Sequence, residues 1–380
     1  MTFEDKLKAL LITPTSSFVT QTYIDMAINA VSKGKQIALY GAGKWGFLWL
    51  NYFCENGVKI DFFIDTGIGG NGVLREGLPV FLPDDATKSN ILLFITPSGL
   101  NGKSEVRNAF LADMLNKGFK EEEICFIANS HSRVLSIGMP CVKNASKCID
   151  VMYMLQDNVS KCYYNDYLES ILKVKPLSAP WLDVKWQYIA PELFELTKSD
   201  YFVDCGAYTG DTVLQFAEFY PFLSGISAFE PTDDTFKMLQ NSIAKLSIPV
   251  RPIKKAVGDE CGSAFFDILG NQTANRIVDN DRGVLIEVTT LDTELSEVSP
   301  TYIKMDVEGF ELAALRGARE TIKKNRPILA ICLYHKGEDL YEIPLYLRDL
   351  LTDYNFFVRK YTGTVFELVL YAVPAERLLS

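Results

Sequence analysis

The amino-acid sequence predicts an α/β protein with two tandem doubly wound domains, on three observations. At 380 residues the chain is too long for one ordinary core. With 48% hydrophobic and 23% charged residues, its composition is that of a packed globular protein and excludes disorder, collagen and coiled coil. Twice, near residues 36–46 and 201–210, an apolar stretch of strand length runs into a glycine turn followed by helical spacing. The expected division is a first domain over 1–130, a helical lead-in over 131–200 and a second domain over 201–380.

In the first domain, Gln36-Ile37-Ala38-Leu39-Tyr40 is a buried strand. Phe47, Leu50 and Phe53 then form a helical stripe that Asn56-Gly57 stops. Lys59–Asp65 reads as a second strand and Asn90–Thr96 as a third, ahead of Pro97-Ser98-Gly99. Residues 105–118 read as helix and Ile124–Ile127 as a short last strand. Between 131 and 200 strand alternation is missing. Val151–Leu155 and Tyr167–Leu172 have helical spacing, interrupted by prolines 176, 180 and 191.

Gly41-x-Gly43-x-x-Gly46 lies between strand and helix, with Asp65 19 residues beyond Gly46. That is the context in which glycines admit a pyrophosphate to a helix N-terminus and an acidic residue accepts ribose hydroxyls. Tight turning and close helix packing alone would also require these glycines, and the bulky Trp45 sits inside the loop. Both readings stay open: a second nucleotide site, or structure only. Residues 36–127 also resemble the small Rossmann-like domains that precede catalytic domains in some sugar-modifying enzymes of bacterial glycan pathways, which implies a nucleotide or nucleotide-sugar ligand.

In the second domain, Tyr201–Asp204 runs into Cys205-Gly206-Ala207-Tyr208-Thr209-Gly210 and a helix from Asp211 to Tyr220. The strand Gly225–Phe229 ends in Glu230-Pro231, where one carboxylate suits a pair of ribose hydroxyls. Val250–Lys254 is a third strand, ending near Ala256-Val257-Gly258-Asp259, where backbone and Asp259 would meet an adenine edge. Thr301–Met305 ends at Asp306-Val307-Glu308-Gly309 and enters a helix over Phe310–Lys324. Pro327–Tyr334 is a fifth strand. Asn355–Lys360 and Val365–Tyr371 form a terminal antiparallel pair around Thr362-Gly363.

Val203-Asp204-Cys205-Gly206-Ala207, Phe229-Glu230-Pro231, Thr290-Leu291-Asp292 and Ile303-Lys304-Met305-Asp306-Val307-Glu308-Gly309 together resemble the FkbM-type S-adenosylmethionine-dependent methyltransferases, as does Glu311-x-x-x-Leu315-x-Gly317-Ala318. The resemblance covers about residues 150–373, including Leu155-x-Asp157-x-x-Ser160. It implies a class I methyltransferase fold, with a seven-stranded mixed sheet whose last strand is antiparallel. It also implies S-adenosylmethionine as cofactor and O-methylation of a sugar or secondary-metabolite hydroxyl. Carried over, Gly206, Ala207 and Gly210 shape the loop near the methionine part, with Asp204 beneath it. Glu230 takes the ribose, Val257 and Asp259 the adenine side, and Asp306 faces the transfer centre. Thr212 and Tyr188 are further candidates for the methionine end.

Methyl transfer to a hydroxyl requires an aligned oxygen and a group to take its proton. Asp306, Glu308 and His335 are the candidates for that group. His335 could equally be a partly exposed strand-end residue, and Glu308 could serve the dipole of the following helix. Their spacing matches no metal signature, so no metal is expected. Arg276, in Thr273-Ala274-Asn275-Arg276, either holds an anionic substrate group or is solvated.

The charge balance, 38 basic against 48 acidic residues, argues against nucleic acid as a partner. No apolar run reaches the ~18 residues of a membrane span, and no secretory leader pattern opens the chain. Eight cysteines without a Cys-x-x-Cys pair suit a reduced, cytoplasmic setting. Two rival readings remain. One is a nucleotide or nucleotide-sugar binding protein with an inactive methyltransferase-like half. The other is an oxidoreductase using the first glycine loop.

Overall fold

The computed structural model describes residues 2–12, 18–97, 100, 104–267, 276–278 and 284–379. Ser98, Gly99 and Thr273–Asn275 therefore lie outside the described residues, as does the side chain of Arg276. The chain divides into two compact units. One comprises Ile12–Lys143 with Leu168–Lys175, the other Met1–Leu11, Asn144–Tyr167 and Pro176–Ser380.

Among its described residues the first-named unit holds six strands: β1 (Gln36–Tyr40), β2 (Phe62–Ile64), β3 (Leu74–Arg75), β4 (Leu78–Phe81), β5 (Ile91–Ile95) and β6 (Ile124–Phe126). Their order is β3-β4-β2-β1-β5-β6, parallel except for the β3–β4 hairpin. Alternation along β1 explains why both faces are covered. Ile37 and Leu39 join a core with Trp49, Phe53 and Phe94, while Ala38 and Tyr40 join the opposite core with Phe62, Leu93 and Met114. The strand expected over Lys59–Asp65 shrinks to three residues. Ahead of it, the Val58 N–H donates to Phe53 O at 2.9 Å and the Asp61 carboxylate accepts the Ile37 N–H at 2.9 Å, so 58–61 form the approach to the sheet. The β3–β4 hairpin has no counterpart in the sequence reading.

The larger unit contains β7 (Tyr201–Cys205), β8 (Gly225–Phe229), β9 (Val250–Ile253), β10 (Ala256–Val257), β11 (Gly262–Asp267), β12 (Arg276–Val278), β13 (Val284–Thr289), β14 (Tyr302–Met305), β15 (Ile328–Cys332), β16 (Tyr354–Lys360) and β17 (Leu368–Pro374). Seven of these form one mixed sheet in the order β16-β17-β15-β14-β7-β8-β9. β17 runs antiparallel to both neighbours and the other contacts among β7, β8, β9, β14 and β15 are parallel. This is the seven-stranded class I methyltransferase arrangement that the sequence resemblance implied. From β7 the chain winds outward through β8 to β9, then returns to β14 on the other side of β7. The crevice at the carboxyl ends of β7 and β14 is therefore a topological switch point, the position where open α/β sheets hold ligands.

Three details differ from the sequence reading. The helix expected over Phe310–Lys324 is two, Glu311–Arg316 and Arg319–Asn325. Between them a Cβ on Gly317 would lie 2.0 Å from Gly258 O, so the chain bends where it must pass another backbone. The last strand begins at Leu368, after Glu367 takes a left-handed turn at φ 62°. A four-stranded sheet, β10-β13-β11-β12, sits beyond β9. The lead-in supplies helices Ala145–Met154 and Asn158–Leu172, and the 3-10 turn Val184–Trp186. It is clamped to β16 through Arg359, whose buried guanidinium donates to Asp157 at 2.8 Å, Ser160 at 2.9 Å and Glu192 at 2.7 Å.

Candidate active site

Each wall of the site begins at a strand end. Cys205 closes β7, and the next residue, Gly206, turns left-handed at φ 87°. A Cβ there would lie 1.9 Å from Asp306 O, so only glycine lets the β7 and β14 ends approach this closely. The Gly206 and Ala207 N–H groups donate to Phe229 O at 3.1 and 2.9 Å, tying the loop to the β8 end. Gly210 begins helix Asp211–Phe219 and packs over Leu239 and Ser242, away from the crevice.

These ends enclose a cleft of about 640 Å³. Of the residues singled out in the sequence, Gly206, Thr212, Glu230, Val257, Asp306, Glu308 and Tyr188 line it. Asp204, Ala207, Gly210, Asp259 and His335 do not. Asp204 and Ala207 are buried beneath it, Asp259 is exposed outside it, and His335 stands behind Asp306.

At the β8 end, Glu230 Oε1 accepts from Thr232 N–H at 3.0 Å, Thr232 Oγ1 at 2.7 Å and Thr235 Oγ1 at 2.5 Å. Three donors on one oxygen fix the carboxylate and leave its other oxygen as the one for a ligand. Beneath the floor, Lys304 pairs with Asp204 across the β7–β14 register. Its ammonium donates to Asp204 Oδ1 and Gly206 O, both at 2.8 Å, and both side chains are almost wholly buried. Burial pushes the Asp204 carboxyl above its ordinary value, with Lys304 opposing.

The opposite end is rich in carboxylates. Asp306 accepts from Tyr188 Oη at 3.1 Å and from Tyr334 Oη at 3.1 and 3.2 Å. Burial disfavours its charge, but Lys304, His335 and the two phenols outweigh that and hold its carboxyl below the ordinary value. His335 Nε2 lies 3.5 Å from Asp306 and 3.6 Å from Glu308, while Nδ1 lies 2.9 Å from Glu311. Burial disfavours the imidazolium, yet these carboxylates push its pKa to about 10. Glu308 is pushed up to about 7, chiefly by burial, with His335 pulling down and Asp306, Glu311 and Glu367 pushing up.

Asp306, Glu311 and His335 are also the group, among the described residues, whose possible metal-ligand atoms lie within 4.8 Å of one another. Two of its three members are already engaged with each other, through Nδ1 and Glu311 Oε1.

Sequence reading assigned no role to Lys304, Tyr208, Gln187, Glu311, Tyr334 or Glu367. For Lys304 a signal existed: a lysine inside the apolar run Tyr302–Met305 has to be buried with a partner. For the others none did. Four cleft residues, Tyr188, Tyr208, Glu308 and Glu367, hold positive φ angles between 47° and 64°. Such conformations cost of order 1–3 kcal/mol each and cluster at functional sites.

In the other unit the first glycine loop is closely packed. A Cβ on Gly46 would lie 1.9 Å from Gly41 O, and one on Gly41 2.8 Å from the Pro97 ring. A Cβ on Gly43 would meet nothing within 4 Å among the described residues. Asp65 accepts from Ala42 N–H at 2.9 Å, Gly67 N–H at 2.8 Å and Ile68 N–H at 3.2 Å. The carboxylate read as a ribose acceptor holds its own loops together.

Residues 204–358 match the family model of the methyltransferase FkbM domain. Among solved structures, the methyltransferase FkbM of Methylobacillus flagellatus KT shares 21% identity, with 97% of this chain and 98% of that chain covered, at a TM-score of 0.59. A putative rRNA-methylase of Clostridium thermocellum is 8% identical over 53% of this chain and 98% of its own, at a TM-score of 0.35. Aeropyrum pernix fibrillarin, in a complex with bound S-adenosyl-L-methionine, is 12% identical over 47% and 69%, at 0.32. No curated protein matches the chain. No helix among the described residues is long and apolar enough to cross a membrane.

Proposed function

We propose that the FkbM methyltransferase domain of this chain is an S-adenosylmethionine-dependent O-methyltransferase acting on a hydroxyl of a sugar, glycan precursor or secondary metabolite. The observation that carries the reading is the cleft at the switch point, with Gly206 at its floor, the fixed Glu230 carboxylate at one end and Asp306 and Glu308 at the other. The residues fit the cofactor: the absent Cβ of Gly206 lets the β7 and β14 ends close together to form the floor, and Glu230 offers an oxygen to the ribose at the second strand end. Val257 would flank the adenine, and Gly206, Thr212 and Tyr188 the methionine portion. Asp204, Ala207 and Gly210 support the loop from below, and Asp259 stands outside the cleft. Bound S-adenosylmethionine supplies an electrophilic methyl on a sulfonium.

The chain's own residues divide the remaining work. Asp306, held ionised, places negative charge at the transfer end, which favours a cationic sulfur. Of the three candidates for the departing proton, Asp306 is too weak a base and His335 is already protonated among its carboxylates. Glu308 is left, since a carboxyl near 7 exchanges a proton efficiently at neutral pH. It lines the cleft on the strained Val307–Gly309 turn, at the same end as Asp306. No metal is part of this reading, because the imidazole is spent as a cation. We place the protein in the cytoplasm.

The test is calorimetric binding of S-adenosylhomocysteine to the full chain, then a screen of hydroxyl acceptors with S-adenosylmethionine. Binding lost in Glu230→Ala supports the reading. A protein that binds no S-adenosylhomocysteine is not this enzyme, and the nucleotide-sugar-binding alternative then takes its place.

A further inference from the structure

We propose that Glu311 and His335 form a positioning pair that acts through Glu308. Glu311 holds the imidazole as a fixed cation at the acceptor end, and that cation orients Glu308 and draws it toward its ionised form. The proposal rests on the reading of Glu308 as proton acceptor.

The argument begins with one oxygen. Glu311 is fully buried in the first turn of helix Glu311–Arg316. Its Oε1 accepts the Val307 N–H at 2.8 Å and the His335 Nδ1–H at 2.9 Å. A single carboxylate oxygen thus ties the turn after β14, which carries Asp306 and Glu308, to the chain after β15, which carries His335. With Nδ1 committed, the imidazole plane is fixed and Nε2 points between Asp306 at 3.5 Å and Glu308 at 3.6 Å. A neutral imidazole with its proton on Nδ1 would face Asp306 and Glu308 with a bare lone pair, so three surrounding carboxyl groups favour a proton on both nitrogens.

The charged surroundings of His335 come from each packed element. Asp306 and Glu308 face it from the β14 turn, and Glu311 from the following helix. Asp339 stands in the first turn of helix Asp339–Leu350, and the Tyr334 ring lies alongside, tilted by 48° with centroids 4.2 Å apart. The groups that act on Glu308 are His335, Asp306, Glu311 and Glu367, and His335 is the only one of the four that favours its charge. Without the imidazolium, Glu308 would hold its proton more tightly and be less available to receive one.

The chain has only two histidines, His131 and His335, so this can be read directly. The full chain, labelled with 15N-histidine and with glutamate carrying 13C at the side-chain carboxyl, is titrated by NMR, with His131→Gln assigning the histidine signals. S-adenosylhomocysteine binding is measured on the same samples. The expected result is a His335 imidazolium that persists past pH 8, with its midpoint about 10. In Glu311→Gln that midpoint falls, because the hydrogen bond and the nearest charge are lost while Asp306 and Glu308 remain. In His335→Gln, the glutamate carboxyl signal that disappears in Glu308→Gln should titrate at higher pH than in the wild type. This second readout keeps the test open should Glu311→Gln fail to fold, since His335→Gln leaves the buried helix residue in place. A wild-type His335 that titrates near ~6.5 overturns the proposal. So does a Glu308 midpoint that ignores His335→Gln. Loss of S-adenosylhomocysteine binding in the wild type would instead sink the methyltransferase reading while leaving the midpoints interpretable.

Discussion

Replacing Lys304 by methionine should be among the most damaging single changes in the larger unit. The ammonium makes two 2.8 Å hydrogen bonds, to Asp204 Oδ1 and to Gly206 O, in a place where both charged side chains are essentially out of water. Asp204 Oδ2 has no hydrogen-bond partner among the described residues. Methionine keeps the bulk and removes the charge, stranding a buried carboxylate, which costs ~3–5 kcal/mol when one member of such a pair is deleted. Hydrogen exchange of the β7 and β14 amides in the full chain reads this locally. At ~1.4 kcal/mol per factor of ten, those amides should exchange roughly two to four powers of ten faster. The deficit depends on pH. Burial already raises the Asp204 carboxyl above its ordinary value, and without Lys304 nothing opposes it. A raised folded pKa means that the native state holds the proton more tightly, so the deficit is greatest above that pKa and shrinks as pH falls through it. Removing both charges, as in Asp204→Leu/Lys304→Met, should recover much of the loss. Exchange within tenfold of wild type in Lys304→Met would refute the claim that this pair holds the floor of the cleft.

Other consequences follow from the same geometry. Gly206→Ala should lose S-adenosylhomocysteine binding and cost more than ~1 kcal/mol of stability, since its Cβ meets Asp306 O at 1.9 Å and its φ is 87°; calorimetry and hydrogen exchange test this together. In the lead-in, burial opposes the Asp157 charge, but Arg359 and Ser160 outweigh it and hold its carboxyl below the ordinary value. A depressed folded pKa gives stability that is present above the unfolded value of ~3.9 and lost as pH falls through the folded one. Asp157→Asn should therefore flatten the acid limb of the stability profile below pH ~4, and an unchanged limb would contradict the clamp. Asp65→Ala should loosen the first glycine loop, seen as faster exchange at Ala42, Gly67 and Ile68, without altering S-adenosylhomocysteine binding at all.

The parts of the architecture legible in the sequence are those where a local pattern has one physical solution. Apolar runs ending in Asp204-Cys205-Gly206, Phe229-Glu230 and Met305-Asp306 have the form of buried parallel strands, and the structure puts Gly206, Glu230 and Asp306 around one cleft. The hairpin Leu74–Phe81 escaped because its strands are short and mostly half-exposed, so neither alternation nor an apolar run marks it. The sequence over Phe310–Lys324 shows one continuous helical pattern because the constraint at Gly317 comes from Gly258, far away in sequence. The same limit applies to the site. Glu311 and His335 are 24 positions apart, and their pairing exists only once β14 and β15 lie side by side. Asp65 has the spacing of a ribose acceptor, yet its partners are backbone N–H groups that no motif displays.

The most direct test of the central claim is calorimetric titration of the full chain with S-adenosylhomocysteine, wild type beside Glu230→Ala. One charge-assisted hydrogen bond to a ribose hydroxyl is worth ~1.5–3 kcal/mol, so the account predicts clear wild-type binding and a variant weaker by roughly 10- to 150-fold. Absent wild-type binding, or equal affinity in Glu230→Ala, would contradict the placing of the cofactor in this cleft.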